Sequence, residues 1–98
     1  MDKEIIRQPL AVLKAMPNCL IANDEPLQLM ILRSLMEQCG FCIKTAQNGY
    51  EAFQAVQETL QYPNKMFDLV ILDLCMPIMN GQDACKNICR LYSEPQKT

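Results

Sequence analysis

The chain has 98 residues, of which 50% are apolar, and its 9 basic and 11 acidic side chains leave a net charge of −2. This length and composition suit one small domain with a packed core rather than a disordered chain. Because the basic residues are scattered and form no stripe that could neutralise phosphates, we expect no direct binding to nucleic acid.

The apolar segments and the amino-terminal residues predict a cytoplasmic protein. No apolar segment approaches the roughly 20 residues that a membrane span requires, so no membrane contact is expected. Asp2 and Glu4 do not suit a positively charged leader, and we predict no signal peptide. The six cysteines are then expected to be reduced thiols. The chain contains no histidine, so any histidine that its chemistry needs must belong to a partner.

The predicted domain spans residues 18–92, and shorter segments flank it on both sides. Residues 1–17 are interrupted by Pro9 and are expected to form a linker or a short helix. Residues 93–98 are polar and are expected to be a tail. The apolar run at 19–22 predicts the first strand of the domain.

The first predicted helix begins at Pro26, where the missing N–H of proline is not needed, and ends before Gly40. It carries two neighbouring apolar stripes, formed by Leu27, Met30, Ile31 and Leu35 and by Leu29, Leu32 and Met36. So wide an apolar face is typical of a helix that is covered by more than a sheet.

Two further strand and helix pairs follow along the chain. Residues 41–46 alternate in polarity and predict a second strand, in which Lys44 suits an edge position that must resist further pairing. The turn signal at Asn48-Gly49 begins a second helical pattern, and Asn80-Gly81 begins a third.

The stretch 68–81, D-L-V-I-L-D-L-C-M-P-I-M-N-G, contains the third predicted strand. Its four consecutive apolar residues, 69–72, predict a strand that is buried on both faces, as in parallel sheets. Asp73 follows this strand directly and therefore lies at its carboxyl end. In open α/β sheets, ligands bind at that edge.

The order β-α-β-α-β-α predicts an α/β fold with a parallel sheet. Right-handed crossovers leave few ways to wind three strands, and we predict the flavodoxin-like order 2-1-3, a partial doubly wound sheet with the first strand between the other two. Its switch point lies between the carboxyl ends of strands one and three, where Asp24 and Asp73 are expected to face one crevice. Neighbouring strands are about 4.8 Å apart, so the two carboxylates would lie close together.

Two carboxylates in one crevice repel each other unless a cation joins them. Mg²⁺ typically takes one or two carboxylates with waters and phosphate oxygens, which suits phosphoryl chemistry with a carboxylate as the nucleophile. The alternative is that Asp24 and Glu25 only cap a helix and interact with its dipole.

Three strings together resemble the receiver domain of response regulators, the phospho-acceptor module of two-component and phosphorelay signalling. They are N-D-E at 23–25, A-x-x-G-x-E-A at 46–52 and D-L-C-M-P-I-M-N-G at 73–81. The resemblance covers about residues 19–92, and its Asp-x-x-Met-Pro-x-Met-x-Gly string is highly specific.

The resemblance implies a role for each matching residue. Asp73 would be the phosphorylated aspartate, and Asp24 would be a direct Mg²⁺ ligand together with the backbone carbonyl of Cys75. Asn23 stands where the family more often has an acidic residue that binds the metal through water, so we expect weaker metal binding. The resemblance implies a signalling module rather than an enzyme, which takes its phosphoryl group from a histidine kinase or a histidine phosphotransfer protein.

The family continues beyond its third helix with two further strands, which end in a Ser or Thr and in a Lys that contact the phosphoryl group. This chain stops after the third predicted helix, so we expect both residues to be absent and the chain to be truncated. The third strand would then be an exposed apolar edge that permits self-association. The alternative function is a non-switching fragment that binds a kinase or phosphotransfer protein through the first helix and the acidic loop.

Other site types fit the residues less well. A haloacid-dehalogenase-type phosphatase has a second Asp two residues after the first, where this chain has Cys75. The C-x-x-C at 39–42 follows a helix, whereas redox motifs of this kind lie at a helix N-terminus. A four-thiolate zinc site with Cys85 and Cys89 would need the first and third helices on one sheet face, against the crossover rule. Small, packed thiols are the simpler interpretation.

Overall fold

The computed structural model describes residues 16–93. Its three strands are β1 (Asn18–Ala22), β2 (Cys42–Ala46) and β3 (Leu69–Leu72). Its α-helices are α1 (Pro26–Gln38), α2 (Gly49–Thr59) and α3 (Gly81–Ser93), and a short 3₁₀ turn at Pro63–Lys65 precedes β3. The predicted alternation of strands and helices is confirmed. The linker predicted at 1–17 and the tail predicted at 93–98 lie outside the described residues except for their inner ends.

The strands form one parallel sheet in the order β2-β1-β3. In its register, Ala22 of β1 lies opposite Ala46 of β2 and Leu72 of β3, so the three strands end at the same level. The predicted flavodoxin-like order 2-1-3 is therefore confirmed. Within residues 16–93, no helix is both long enough and apolar enough to cross a membrane.

β1 is the centre of the hydrophobic core because it is paired on both sides. Cys19, Leu20 and Ile21 are completely buried. Leu20 belongs to a cluster that also includes Val56 of α2 and Ile88 of α3, so both helices pack on the same face of the sheet.

The prediction that β3 is buried on both faces is wrong. Leu69 is 38% exposed, and the remaining three residues of the strand are only partly buried. Among the described residues β3 pairs with β1 alone. This single neighbour makes β3 the expected edge strand. Burial of the faces of a strand depends on the helices that cover the sheet, which an apolar run in the sequence does not reveal.

The expectation that more than a sheet covers α1 is also not met within the described residues, since no residue of this helix is fully buried. Leu29, Leu32 and Met36 are partly buried. The other stripe is 50–61% exposed and consists of Leu27, Met30, Ile31 and Leu35. A single sheet contacts only one side of a helix, which leaves this second stripe, hereafter the α1 stripe, in solvent.

Candidate phospho-acceptor site

Backbone hydrogen bonds connect the carboxyl ends of the three strands. The N–H of Asp73 donates to the carbonyl of Ala22 at 3.0 Å, and the N–H of Asn23 donates to the carbonyl of Ala46 at 3.1 Å. Asp24 comes two residues after the end of β1, and Asp73 comes directly after β3. The two carboxylates thus follow neighbouring strands at one edge of the sheet, as the switch-point argument predicts.

The three residues 23–25 have different contacts. Glu25 caps α1, because its Oε1 accepts hydrogen bonds from the N–H of Leu27 at 2.9 Å and of Gln28 at 3.2 Å. Asn23 is buried, with its Oδ1 accepting from the N–H of Glu25 at 2.8 Å and its Nδ2 donating to Oε1 of Gln28 at 3.1 Å. Helix capping, the alternative explanation for the acidic cluster, therefore holds for Glu25 and is helped by the turn at Asn23.

Asp24 is the residue of this cluster that capping does not explain. Its side chain is exposed and makes no hydrogen bond or ion pair with any residue between 16 and 93. The half-buried side chain of Asp73 likewise has no such partner in that range. Arg33, on the helix that follows Asp24, is instead paired with Glu37 at 3.2 Å. Both carboxylates are consequently free to bind a ligand.

The first turn of α3 packs directly on the backbone of Asp73. The N–H of Gly81 donates to the carbonyl of Leu74 at 3.1 Å. A Cβ atom at position 81 would lie 2.2 Å from the carbonyl oxygen of Asp73, a distance that real contacts do not reach. Only glycine therefore permits this approach. Asn80 caps the helix, with its Oδ1 accepting from the N–H of Asp83 at 2.9 Å.

The loop after Asp73 is fixed from a second side by α2. The N–H of Gly49 donates to the carbonyl of Met79 at 2.9 Å, and a Cβ atom at position 49 would lie 2.2 Å from that oxygen. Met76 is buried in the core, whereas Ile78 is 81% exposed and has φ = 69°. In the sequence both glycines are turn signals and members of the matching strings, and neither pattern predicts their contacts with the loop at 74–80 or with the backbone of Asp73.

The donors at this edge fit a magnesium ion. Asp24 and Asp73 carry carboxylate oxygens, which are the ligand type that Mg²⁺ prefers. No group of three or more His, Cys, Asp or Glu side chains lies close together in residues 16–93.

A cavity of about 280 Å³ opens beside Asp24. Asn23, Arg33 and Gln47 contribute polar groups to its lining, and Met30 contributes an apolar one. The cavity therefore connects the acidic edge of the sheet with the α1 stripe.

Comparison with known proteins assigns this arrangement to a family. The chain matches the response regulator receiver domain over residues 19–97. It is 35% identical over 78 residues to histidine kinase 5 of Arabidopsis thaliana, covering 80% of this chain and 8% of that protein. It is 38% identical over 74 residues to the response regulator SSK1 of Verticillium dahliae, covering 76% of this chain and 8% of that protein. The chain thus spans less than a tenth of the length of these curated relatives.

Solved structures agree with the sequence relatives. A complex of CheX, CheY, BeF₃ and Mg²⁺ from Borrelia burgdorferi superposes with a TM-score of 0.69 at 34% identity, covering 76% of this chain and 54% of that one. The response regulator TrrA of Thermotoga maritima, in complex with Mg²⁺ and BeF, gives 0.65 at 32% identity, covering 78% and 61%. With its 2-1-3 sheet and its acidic edge, this chain belongs to the receiver-domain family of two-component and phosphorelay signalling.

Proposed function

We propose that this chain accepts a phosphoryl group on Asp73 from the phosphohistidine of a histidine kinase or histidine phosphotransfer protein. The observation that carries the proposal is the position of Asp73. Its backbone is held by β1 through Ala22 and packed against Gly81 of α3, while its carboxylate has no partner in residues 16–93. A rigid backbone with a free carboxylate is what an in-line nucleophile requires.

In the proposed step, a carboxylate oxygen of Asp73 attacks phosphorus in line. The bond between phosphorus and the donor nitrogen breaks, and the imidazole leaves with the electron pair and takes up a proton. The donor histidine must come from a partner because this chain has none. The chain contributes the acceptor oxygen and the geometry, and it acts as a signalling module rather than as an enzyme with a diffusing product.

Asp24, Asp73 and the carbonyl of Cys75 are the groups that would hold Mg²⁺. When bound, Mg²⁺ supplies positive charge that neutralises the phosphoryl oxygens. The related Borrelia and Thermotoga structures are complexes with Mg²⁺ and a beryllium fluoride, which supports the same metal here. Asn23 would contact the metal through a water molecule. It would bind more weakly than an acidic residue, because its amide is neutral and its Oδ1 already accepts a hydrogen bond from the N–H of Glu25.

A second candidate function is that of a docking module that binds a kinase or phosphotransfer protein without completing a phosphorylation cycle. The α1 stripe favours it, because four large apolar side chains are 50–61% exposed beside Asp24. Contiguous exposed apolar surface of this kind marks interaction sites. The outer edge of β3 would permit self-association as well, since Leu69 is 38% exposed there.

A trapping experiment separates the two functions. Acetyl phosphate and Mg²⁺ are added to the folded chain, and the acid-stable, hydroxylamine-sensitive acylphosphate is measured by intact mass. We expect one phosphoryl group on the natural chain and none on Asp73→Asn. Asp83→Asn is the matched control, since Asp83 is an exposed carboxylate in the first turn of α3, and it should keep the label.

The acceptor function is wrong if a folded sample takes no label or if Asp73→Asn is labelled equally. An unlabelled chain that still binds a phosphotransfer protein, and loses that binding when Ile31 is changed to Lys, would instead establish the docking function.

A further inference from the structure

Two cysteines of α3 form a sulfur pair away from the acidic edge. Cys85 and Cys89 are both exposed, and their Sγ atoms are 4.0 Å apart. Residues four apart on a helix lie on the same face, one turn above the other. Helix α3 packs on the core through Ala84 and Ile88, which are 0% and 5% exposed, so the cysteines lie on its flank beside the buried side.

The backbone under the pair is well supported. Helix α3 is capped by Asn80 at its N-terminus and anchored to the backbone of Asp73 through Gly81. A site on a rigid helix holds its ligands in place before the ligand arrives, which reduces the entropic cost of binding.

The donor set selects a class of ion. Thiolates are soft ligands and favour soft cations such as Cu⁺ over the hard cations that bind carboxylates. Within residues 16–93 no third His, Cys, Asp or Glu joins the pair, so this part of the chain does not supply the four ligands of a structural zinc site. Two sulfur donors alone suit a cation that accepts two-coordinate, nearly linear binding.

The distance between the sulfurs suits such an ion. Two metal–sulfur bonds of about 2.3 Å in line would span roughly 4.6 Å. The observed separation is 4.0 Å. Both side chains are exposed, so small rotations about χ1 can open the pair by the remaining few tenths of an ångström without moving the helix.

We propose that Cys85 and Cys89 form a binding site for one soft, monovalent d¹⁰ cation of the Cu⁺ class. Both S–H bonds break and two S–metal bonds form, so that two thiols and one M⁺ give a bis-thiolate complex of charge −1 and two released protons. No electron is transferred. Lys86 lines the same groove as Cys85, and its positive charge would offset the charge of the complex.

The environment of Cys89 favours its protonated thiol. The hydrogen bond and charge of Cys85 raise the pKa of the Cys89 thiol. The thiol at position 89 therefore retains its proton at neutral pH, and the cation must displace it. This site is independent of phosphorylation, because it uses neither Asp24 nor Asp73.

The chain offers a matched control for this proposal. Cys39 and Cys42 are a second pair of exposed cysteines, at the C-terminal end of α1 and at the start of β2. They have the same side chains and the same class of exposure but no sulfur–sulfur contact between them within the described structure. Nonspecific thiol binding would involve both pairs equally.

The test is a titration of the fully reduced chain with Cu⁺ under argon, against a chromophoric Cu⁺ chelator, with the stoichiometry read by native mass spectrometry. We expect one tightly held Cu⁺ in the natural chain and in Cys39→Ser/Cys42→Ser. Cys85→Ser and Cys89→Ser should each weaken binding by about 10²-fold, because a chelating pair gains that order of affinity from its second ligand.

Circular dichroism of each variant checks that the helix content of the chain is unchanged. We expect no change, because Cys85 and Cys89 are both exposed. The proposal fails if the natural chain holds no Cu⁺ against the competitor. It also fails if Cys85→Ser/Cys89→Ser binds as tightly as the natural chain, or if the Cys39→Ser/Cys42→Ser control loses the ion.

Discussion

The N–H of Gly49 donates to the carbonyl of Met79 at 2.9 Å, which fastens the first turn of α2 to the loop that follows Asp73. Gly81 makes the corresponding close approach to Asp73 from α3. Helices α2 and α3 thus contact the segment 73–79 from two sides. Each contact requires glycine, because a side chain there would overlap the backbone of that segment.

The close contacts predict that both glycines are sensitive to the smallest substitution. Gly49→Ala and Gly81→Ala should each lower the free energy of unfolding by about 1–3 kcal/mol, because the added methyl group overlaps a backbone carbonyl and the loop must shift. Urea unfolding followed by circular dichroism measures the effect. Gln82→Ala, at an exposed neighbouring position of α3, should change stability by less than about 0.5 kcal/mol. Equal stability of Gly81→Ala and the natural chain would contradict the contact.

The backbone conformation of Ile78 predicts that a substitution at this position will stabilise the fold. Its φ of 69° lies in the left-handed region, which is unfavourable for a β-branched residue, and its side chain is 81% exposed, so little apolar contact is lost on replacement. We expect Ile78→Asn to raise the free energy of unfolding by about 1 kcal/mol, because Asn tolerates this conformation. Ile78→Val keeps the β-branch and should give no gain. A gain from valine equal to that from asparagine would show that backbone strain is not the cause.

The contacts of Asp24 and Glu25 predict that metal binding and stability can be separated. Asp24→Asn should abolish most Mg²⁺ binding, measured by calorimetry, and leave the unfolding midpoint nearly unchanged, because the side chain has no partner in residues 16–93. Glu25→Ala should lower stability by about 1 kcal/mol through loss of the α1 cap and leave Mg²⁺ binding intact. If Asp24→Asn lowers stability and Glu25→Ala abolishes Mg²⁺ binding instead, then Asp24 is the helix cap and Glu25 is the metal ligand, and the prediction is wrong.

The neutral side chain of Asn23 predicts that an acidic substitution at this position will increase the affinity for Mg²⁺. Asn23→Asp adds a negative charge beside Asp24, and we expect Mg²⁺ to bind about tenfold more tightly, since affinity rises with the charge of the ligand set. The variant should also be less stable without metal, because a third carboxylate increases repulsion and the hydrogen bond to Gln28 loses its donor. Unchanged affinity would mean that position 23 does not contribute to the metal site.

The environment of Tyr92 predicts that the free energy of unfolding falls at alkaline pH. Burial raises the pKa of its hydroxyl, the negative charge of Asp68 raises it further, and a hydrogen bond with the backbone of Phe67 partly opposes them. Since the folded-state pKa lies above the unfolded one, the stabilising contribution is present below the ordinary tyrosine pKa of about 10 and is lost as pH rises through the folded value. Urea unfolding at neutral and at alkaline pH measures this loss, which should be smaller in Tyr92→Phe than in the natural chain. A larger alkaline loss of stability in Tyr92→Phe would contradict this sign.

Short-range patterns predicted the skeleton of the site well. The apolar run before Asp73 located β3 to the residue, and the helical spacing from position 49 onward identified α2 with its buried Ala52, Ala55 and Val56. These features depend on neighbours within a few positions, which a single sequence displays directly. Crossover handedness left few ways to wind the three strands, and the flavodoxin-like order 2-1-3 is one of them.

Long-range contacts explain where the sequence analysis fell short. Glu25 and Asp24 are adjacent acidic residues with the same local pattern, and only the path of the chain into α1 decides which one caps the helix and which one remains free. Leu29 and Leu27 are equally apolar, but the side of α1 that meets the sheet decides which is partly buried. A pattern of apolar residues indicates which side chains can be buried, but it does not indicate which other parts of the chain cover them.

By itself, the sequence determined the α/β class and the residues at the sheet edge, because these follow from local periodicity, and with the flavodoxin-like order 2-1-3 it also predicted that β3 is an edge strand. The tertiary structure alone decided which stripe of α1 contacts the sheet and which is exposed within residues 16–93. It also placed Gly49 and Gly81 against the segment 73–79 and Cys85 beside Cys89. The physical reason is that burial and close approach depend on atoms brought together by the whole fold, and no local pattern encodes those distances.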